Sequence, residues 1–426
     1  MRTLNPFNKM SFLTRFLCSL FVAFFAFTGV AVENGWPQWR GPTRDGLVAG
    51  ASWPDKLDTN HLRQTWRVEL APSYSGPIVA GDRVFTTETR DKKSEVVYAF
   101  DKTTGRLLWT NEWEGALSVP FFAKSSGDWI RATPAFDGEN LYVAGMRDVL
   151  VCLEAQSGKL KWRVDFTNQF NTPLPDFGFV SSPLVMGDAV YVQAGAGFVK
   201  LNKQDGKVIW RTLQDKGGMS GSAFSSPAFA TLCGTNQILV QTREKLAGVD
   251  PADGSVLWSQ KVEAMQGMNI LTPVAFKDTL FTSTYGGRTT GFKVSLADGK
   301  FASAESWRHK SQGYMTTPVV VDGVAYTHLK SQHIMAIDVE TGKELWTSDA
   351  SYGKYMSLVA QGDHILALDE RGILFLIHAN KEKLEIMDQR VLTNEETWAH
   401  LAVVADQLFV RELRALTAYR WTRESQ

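Results

Sequence analysis

VYAFDKTTGRLLW, at residues 97–109, combines an apolar strand ending in Asp, a Thr-Gly turn, and a second strand ending in Trp. The alternation of apolar and polar residues around a Gly turn is typical of a β-hairpin. Related copies are LVCLEAQSGKLKW (150–162), FVKLNKQDGKVIW (198–210), LAGVDPADGSVLW (246–258), IMAIDVETGKELW (334–346), the stretched FKVSLADGKFASAESW (292–307), and a seventh (374–386) without the Gly turn and the Trp. A hairpin that recurs at a regular spacing indicates a repeat architecture.

A second pattern precedes each hairpin: two small or hydroxyl residues, Pro, an apolar run, a Gly or Asp turn, and an alternating run. The copies are SGPIVAGDRVFTT (75–87), ATPAFDGENLYVAG (132–145), SSPLVMGDAVYVQAG (181–195), SSPAFATLCGTNQILVQ (225–241), LTPVAFKDTLFTS (271–283), TTPVVVDGVAYTH (316–328), MSLVAQGDHILAL (356–368) and AHLAVVADQLFV (399–410). The last two lack Pro. Together the two patterns predict eight units of four short strands, which we label A to D within each unit.

The eighth unit ends after its strand C, LRALTAY (413–419). A replacement for its missing strand D lies at the other end of the chain, where LRQTWRVEL (62–70) precedes the first strand A. The sequence therefore predicts an all-β fold: an eight-bladed β-propeller of four-stranded antiparallel blades, closed by the N-terminal strand 62–70 in the last blade. Residues 62–421 form this single domain, at about 45 residues per blade.

The N-terminal residues of the chain predict export. Residues 1–31 carry Arg2, Lys9 and Arg15 followed by a 15-residue apolar run (16–30), which favours a cleaved signal peptide over a membrane anchor. Residues 32–61 form an N-terminal extension and 422–426 a C-terminal tail. We expect a periplasmic or secreted monomer without a transmembrane anchor, whose two remaining cysteines, Cys152 and Cys233, stay unpaired.

A tryptophan ends most of the D strands. A large ring at that position can pack on the neighbouring blade, so these residues are predicted to join blades rather than to bind a cofactor. They are Trp66, Trp109, Trp162, Trp210, Trp258, Trp307 and Trp346.

The Ala-x-Asp-x-x-Thr-Gly-x-x-x-Trp core of 97–109 and 334–346 resembles the repeat of the pyrroloquinoline-quinone (PQQ) propeller superfamily, and WPQWRGPTRDG (36–46) resembles an N-terminal signature of its exported, planctomycete-type members. The superfamily includes quinoprotein alcohol dehydrogenases and BamB-like proteins of the outer-membrane assembly machine. The dehydrogenase resemblance implies PQQ with Ca²⁺, but the vicinal Cys-Cys pair of those enzymes is absent here. The BamB-like resemblance implies a protein partner, although the lipid-bearing Cys of that family has no counterpart.

The D–A and B–C loops share one face of the predicted propeller, and the D–A loops surround the mouth of its channel. Aromatic, amide and hydroxyl groups gather there, which is the composition of a ligand mouth. The alternative, which we favour, is that Met and Tyr plug the channel. The mouth candidates from D–A loops are Phe179, Ser222, Asn269, Tyr314, Tyr355, Trp398 and His400.

The B–C loops add basic groups, namely Arg147, Arg243, Arg288, Lys330 and Arg371. These can clamp an anion such as the carboxylates of PQQ. Acids beside them (Asp148, Glu244, Asp369, Glu370, Glu412) favour the simpler interpretation of self-neutralising pairs. Asp369 and Glu395 are the two mouth carboxylates that we nominate as a catalytic base or metal ligand.

Equal numbers of basic and acidic residues, 45 each, exclude a strongly basic nucleic-acid binder. Scattered histidines predict no dedicated metal site. The leading hypothesis is an exported binding or scaffold module for an envelope protein or carbohydrate, with no cofactor assigned. The alternative is a PQQ-dependent alcohol or sugar dehydrogenase with a divergent, disulfide-free site.

The longest loop, residues 111–131, carries Leu117, Val119, Phe121, Phe122 and Trp129. These side chains can form a docking patch for a partner. We favour the alternative, in which they fold back onto the second blade.

Overall fold

Eight sheets, each of four antiparallel strands, make up the computed structural model of the chain. It describes residues 35–50, 53–219, 221 and 224–422, so the predicted signal peptide (1–31) and residues 423–426 of the tail lie outside it. The predicted eight-bladed β-propeller is confirmed.

The strands follow the predicted order A to D within each blade. Blades one to four contain β2–β5 (Ile78–Ala80, Arg83–Arg90, Ser94–Asp101, Leu107–Glu114), β6–β9 (Ala135–Phe136, Asn140–Gly145, Val149–Glu154, Leu160–Asp165), β10–β13 (Leu184–Met186, Ala189–Gln193, Phe198–Asn202, Val208–Thr212) and β14–β17 (Ala228–Leu232, Thr235–Gln241, Lys245–Val249, Val256–Lys261). Blades five to eight contain β18–β21 (Val274–Phe276, Thr279–Ser283, Thr289–Ala297, Lys300–His309), β22–β25 (Val319–Val321, Val324–His328, Ile334–Asp338, Glu344–Thr347), β26–β29 (Met356–Gln361, His364–Asp369, Ile373–His378, Glu385–Val391) and β30–β32 (Ala402–Val404, Gln407–Glu412, Ala415–Trp421) completed by β1 (Leu62–Glu69). The described helical segments are α1 (Phe166–Phe170) and the 3₁₀ turns Phe121–Ser126 and Met265–Gly267.

The ring closes where the sequence predicts. β1 pairs antiparallel with β32, from Leu62 opposite Trp421 to Glu69 opposite Ala415. One further hydrogen bond, from the Leu70 amide to the Arg414 carbonyl (2.8 Å), extends the pairing to residue 70. The first strand of the propeller therefore seals its last blade.

The D-strand tryptophans connect consecutive blades. Trp66 donates its indole N–H to the Lys102 carbonyl (2.9 Å) in the C–D turn of the next blade, and its ring lies against Gly105. A Cβ at Gly105 would come within 2.8 Å of that ring, and the positive φ of 71° favours glycine there as well. The equivalent indole bonds run from Trp109 to Ala155, Trp162 to Lys203, Trp210 to Ala252, Trp307 to Val339 and Trp346 to Asn380.

Trp258 is the exception among these seven. Its indole donates to the side-chain oxygen of Gln237 (2.7 Å) within its own blade. The following hairpin, β20–β21, is the longest in its blade at nine and ten residues. Its distant turn glycine, Gly299, has no neighbouring atom within 4 Å of a Cβ position, so no ring packs on it.

The hydroxyl-Pro motif forms a belt around the channel. The amide N–H of Thr133 donates to the Ser182 hydroxyl (3.0 Å), and the Ser182 amide donates to the Ser226 hydroxyl (2.9 Å) in the next blade. Equivalent bonds run from the Gly76 amide to the Thr133 hydroxyl, from the Ser226 amide to the Thr272 hydroxyl, and from the Thr272 amide to the Thr317 hydroxyl. A hydroxyl is needed because it accepts the main-chain N–H that precedes each Pro.

The N-terminal extension is built into the propeller. Trp36 exchanges two main-chain hydrogen bonds with Val79 of the first blade, and the Val48 amide donates to the Ala360 carbonyl of the seventh. We call residues 36–48 the channel segment. Residues 53–61, the strap, then lead to β1, with Trp53 stacked on Trp421 at a ring distance of 5.7 Å. The extension thus shares a hydrophobic core with blades one, seven and eight.

Both described cysteines are free. Cys152 is buried in β8, where burial raises the pKa of its thiol to about 12, and Cys233 lies in the A–B turn of blade four. A thiol with so high a pKa is unreactive at neutral pH.

Candidate functional site

The face that carries the D–A and B–C loops is the candidate site, and we call it the D–A face. Antiparallel strands place these loops at one end of the blades and the short A–B and C–D turns at the other. The D–A loops are the longest connections, so they provide most of the surface on which a ligand or partner can bind.

Two arginines of the channel segment fill the axis beneath this face. Arg40 donates to the carbonyls of Thr317 (2.9 Å) and Pro318 (2.6 Å), and Arg44 donates to those of Ser182 (3.1 Å) and Pro183 (2.6 Å). Both side chains are buried, and burial lowers the pKa of Arg40 to about 10 and that of Arg44 to about 9. The channel is therefore plugged by the N-terminal segment, whereas the sequence assigned that role to Met and Tyr of the loops.

Of the predicted basic groups, Arg147, Arg288 and Lys330 are exposed on the rim of the D–A face. The Lys330 ammonium lies 4.2 Å from the centre of the Tyr285 ring, a cation–π contact. Arg243 is buried instead. Its guanidinium donates to the Gln266 carbonyl and lies 5.2 Å from the Phe224 ring.

The two nominated carboxylates differ in environment. Asp369 is fully buried and accepts from the guanidinium of Arg371, including a 2.8 Å bond from Nε, and from the Arg371 and Ile373 amides. Both carboxylate oxygens of Asp369 are therefore hydrogen-bonded to Arg371 and Ile373, in the turn that follows the aspartate. Glu395 is half-buried at the surface, 3.8 Å from Arg414. The structure does not bring Asp369 and Glu395 together as a free catalytic pair.

Three of the seven D–A loop candidates stabilise the loops themselves. Phe179 is buried against Phe166, and the Asn269 amide donates to the Thr242 (3.0 Å) and Arg243 (2.9 Å) carbonyls. His400 is buried beside Trp39, and burial lowers the pKa of His400 to about 3. Ser222 lies outside the described residues.

Three other candidates are partly buried and form aromatic contacts. Tyr314 lies 4.8 Å from the Tyr285 ring, and Tyr355 stacks on Trp398 at 5.8 Å. Beside Trp398 there is an open cavity of about 300 Å³. Its lining is mostly charged and consists of Lys354, Glu370, Arg371, Asn394, Glu395, Glu396 and Trp398.

The predicted pairing of neighbouring charges holds for Asp369 and Arg371 but not for Arg147 and Asp148. Asp148 turns inward and accepts from the Gly195 amide (2.8 Å) of blade three. Burial raises the pKa of Asp148 to about 7. Glu95 acts similarly between blades one and two, where it accepts from the Met146 amide (2.7 Å).

A line of four aromatic rings, the aromatic ridge, is formed by the exposed Phe121 and Phe122 and the partly buried Phe177 and Phe224. The sequence offered Phe121 and Phe122 as a docking patch but did not predict their alignment with the other two rings. Successive ring centres lie 5.6, 6.3 and 5.5 Å apart, across three consecutive D–A loops. Phe121 is 86% exposed and Phe122 57% exposed. The favoured expectation that the long loop folds back is wrong for these two rings, although Val119 of that loop is buried as expected.

Two more exposed apolar side chains occur in the D–A loops that follow β13 and β17. Met219 is 43% exposed and Met265 50% exposed. The sequence signal that could have indicated the exposed rings was the pair of Phe residues directly after a Pro, at residues 120–122. Sequence alone does not show which rings of a loop turn outward.

A scan of family models matches residues 56–126 and 92–348 to the family described as outer membrane protein assembly factor BamB. The chain belongs to this family of PQQ-repeat propellers. A second model, the β-propeller domain of glucose, ethanol and alcohol dehydrogenases, matches residues 296–407.

Among curated relatives, the outer membrane protein assembly factor BamB of Yersinia pestis is 21% identical over 374 residues, covering 85% of each chain. The crystal structure of BamB from Moraxella catarrhalis superposes with a TM-score of 0.59 at 15% identity, covering 86% of this chain and 99% of that one. Quinohemoprotein alcohol dehydrogenase from Comamonas testosteroni gives 0.64 at 13% identity, covering 94% and 83%. At these identities the structural likeness shows the fold.

In this BamB-family chain, groups that the sequence offered for binding PQQ or Ca²⁺ are occupied by internal contacts. Arg40 and Arg44 occupy the axis, and Asp369 is committed to Arg371. Within residues 35–422, as far as the structure describes them, no three His, Cys, Asp or Glu side chains converge as metal ligands. Nor is any described helix both long and apolar enough to span a bilayer.

Proposed function

We propose that this chain is an exported, non-catalytic scaffold of the cell envelope that binds a protein partner through the aromatic ridge of its D–A face. The observation that carries the proposal is the exposure of Phe121 and Phe122 at the end of that ridge, above a channel filled by the chain's own N-terminal segment.

Two adjacent, largely exposed aromatic rings such as Phe121 and Phe122 are unusual on a protein surface, because each leaves apolar area in water. Covering one such side chain contributes about 1.5–3 kcal/mol. Aromatic residues also dominate the energetically important positions of protein interfaces. The ridge is presented by loops joined to rigid blades, so a partner can bind it without large ordering of the scaffold.

The family supports an envelope protein as the partner class, since its relatives are named as assembly factors of outer membrane proteins. It also supports a periplasmic location, in agreement with the signal-peptide pattern of residues 1–31. A carbohydrate partner remains the second possibility for the same face and is distinguished by the experiment below.

The double variant Phe121→Ala/Phe122→Ala is expected to lose at least about tenfold in recovery of a cross-linked protein partner from the native envelope. Removing two exposed rings costs little folding stability, about 0.5 kcal/mol or less each. Quantitative mass spectrometry of the cross-linked material measures the loss.

The matched control is Leu107→Ala/Leu160→Ala, which removes two half-exposed apolar side chains from outer D strands. This control should recover the partner like the wild type. Unchanged recovery by the phenylalanine variant, equal loss by the control, or recovery of carbohydrate alone would contradict the proposal.

The scaffold proposal makes a separate prediction that tests the dehydrogenase alternative. Calorimetric titration of the purified chain with PQQ and Ca²⁺ should give no binding heat, because guanidinium groups and main-chain carbonyls already fill the axis. Micromolar or tighter binding, with quinone absorbance in the isolated complex, would establish the enzyme alternative and remove the scaffold proposal.

A further inference from the structure

Five titratable side chains lie in a row on the face opposite the ridge, alternating between carboxylates and imidazoles. The His364 ring contacts Asp55 through Nε2 (2.8 Å) and Asp363 through Nδ1 (2.7 Å). The His378 ring contacts the other oxygen of Asp363 through Nε2 (3.2 Å) and Glu385 through Nδ1 (3.1 Å).

Each imidazole therefore has a carboxylate oxygen at both nitrogens. A neutral imidazole carries one N–H and donates one hydrogen bond, so its second nitrogen would place a lone pair against a carboxylate. With both carboxylates ionised, the imidazolium form satisfies both contacts. The two contacts of His364 therefore favour its protonated form.

Only one member of the row belongs to the N-terminal extension. Asp55 lies in the strap, between Trp53 and Leu57, which are both buried. The other four belong to blade seven: Asp363 in its A–B turn, His364 in β27, His378 in β28 and Glu385 in β29. The Asp55 side chain is 69% exposed and that of His364 11% exposed, so Asp55 is the partner that can leave into water.

We propose that His364 is a pH-sensitive clasp that fastens the strap to blade seven when its imidazole is protonated and releases Asp55 when the proton is lost.

The electrostatic surroundings support this direction. Burial alone would lower the pKa of His364, but the hydrogen bonds to Asp55 and Asp363 outweigh it and raise that pKa above its usual value. His378 and Glu385 complete the charged surroundings on blade seven, with Lys383 acting on Glu385. Because the folded-state pKa is raised, the stabilisation is fully present below the unfolded pKa and is lost as pH rises through the folded pKa.

Hydrogen exchange of the Leu57 amide tests the clasp in the intact chain. That amide donates to the Asp388 carboxylate (2.7 Å), and its exchange is measured between about pH 6 and about pH 8.5. After correction for intrinsic exchange, protection of Leu57 should fall about tenfold over this range. The Asn202 amide of blade three, which bonds to the Lys207 carbonyl, should show no change.

Two variants and one control complete the experiment. Asp55→Asn and His364→Gln should each show low protection of Leu57 that no longer depends on pH, whereas His309→Gln should behave as the wild type, since His309 pairs with Glu344 away from the strap. Exposed Asp55 can be replaced without loss of the fold. Equal protection of Leu57 at both pH values in the wild type, or wild-type pH dependence in Asp55→Asn, would overturn the clasp.

Discussion

Arg40→Met should lower the free energy of unfolding by about 3–5 kcal/mol. The guanidinium supplies the hydrogen bonds of the Thr317 and Pro318 carbonyls at the axis, where methionine supplies none. Each buried polar group left unpaired costs about 1–3 kcal/mol. Relief from burying a charge offsets part of this loss. Denaturant unfolding of the full chain measures the difference.

The backbone conformation also indicates that Arg40 is held in place by its contacts. Arg40 and Arg44 both have left-handed conformations, with φ of 62° and 61°, which are uncommon for arginine. Such strain persists where surrounding contacts hold the residue in place. Arg40→Lys keeps a charge but loses the planar fork, so it should retain about half of the stabilisation.

The control for Arg40 is Arg63→Met, because Arg63 is an exposed arginine of β1. Its replacement should change the free energy of unfolding by about 0.5 kcal/mol or less. If Arg40→Met were as stable as Arg63→Met, the channel segment would not be a structural plug.

Trp66→Ala is also expected to cost about 3–5 kcal/mol of stability, the usual range for a buried Trp. The ring packs on Phe409 in the last blade (6.0 Å) and on Gly105 in the first, so its loss opens a cavity at the point of closure. Denaturant unfolding monitored by far-ultraviolet circular dichroism measures this effect.

Trp66→Phe separates packing from hydrogen bonding. Phe retains most of the ring but cannot donate to the Lys102 carbonyl, so the expected loss is about 1–2 kcal/mol. A Trp66→Ala variant no less stable than Trp66→Phe would show that the ring does not hold the closing blade to the first one.

The architecture was predictable because its signals are local and repeated. Alternating strands, Gly turns and Trp66 at the position of the other strand-ending rings all lie within short windows. The partners of Trp66 and Ser182 in the next blade follow once the repeat is recognised. Trp258 departs because the hairpin after it is longer, a difference visible as the stretched copy at 292–307.

The site was less predictable because many of its contacts join a side chain to the main chain, so no complementary pair of residue types reveals them in the sequence. Arg40 and Arg44 bind main-chain carbonyls, which leave no mark on the sequence. Val119 and Phe121 lie two positions apart in one loop, yet one is buried and the other exposed. Such differences depend on the path of an irregular loop rather than on residue type.

Pairing of β1 with β32 has a consequence for the order in which the propeller assembles. β1 is synthesised before the other strands of the blades, yet it cannot pair until β32, the last of them, has been made. Blade eight is therefore the final element to assemble, and a nascent or C-terminally truncated chain leaves the apolar side of Leu62–Glu69 uncovered. Contacts so distant along the chain slow folding, which makes this interval the period of greatest exposure to proteases and to aggregation.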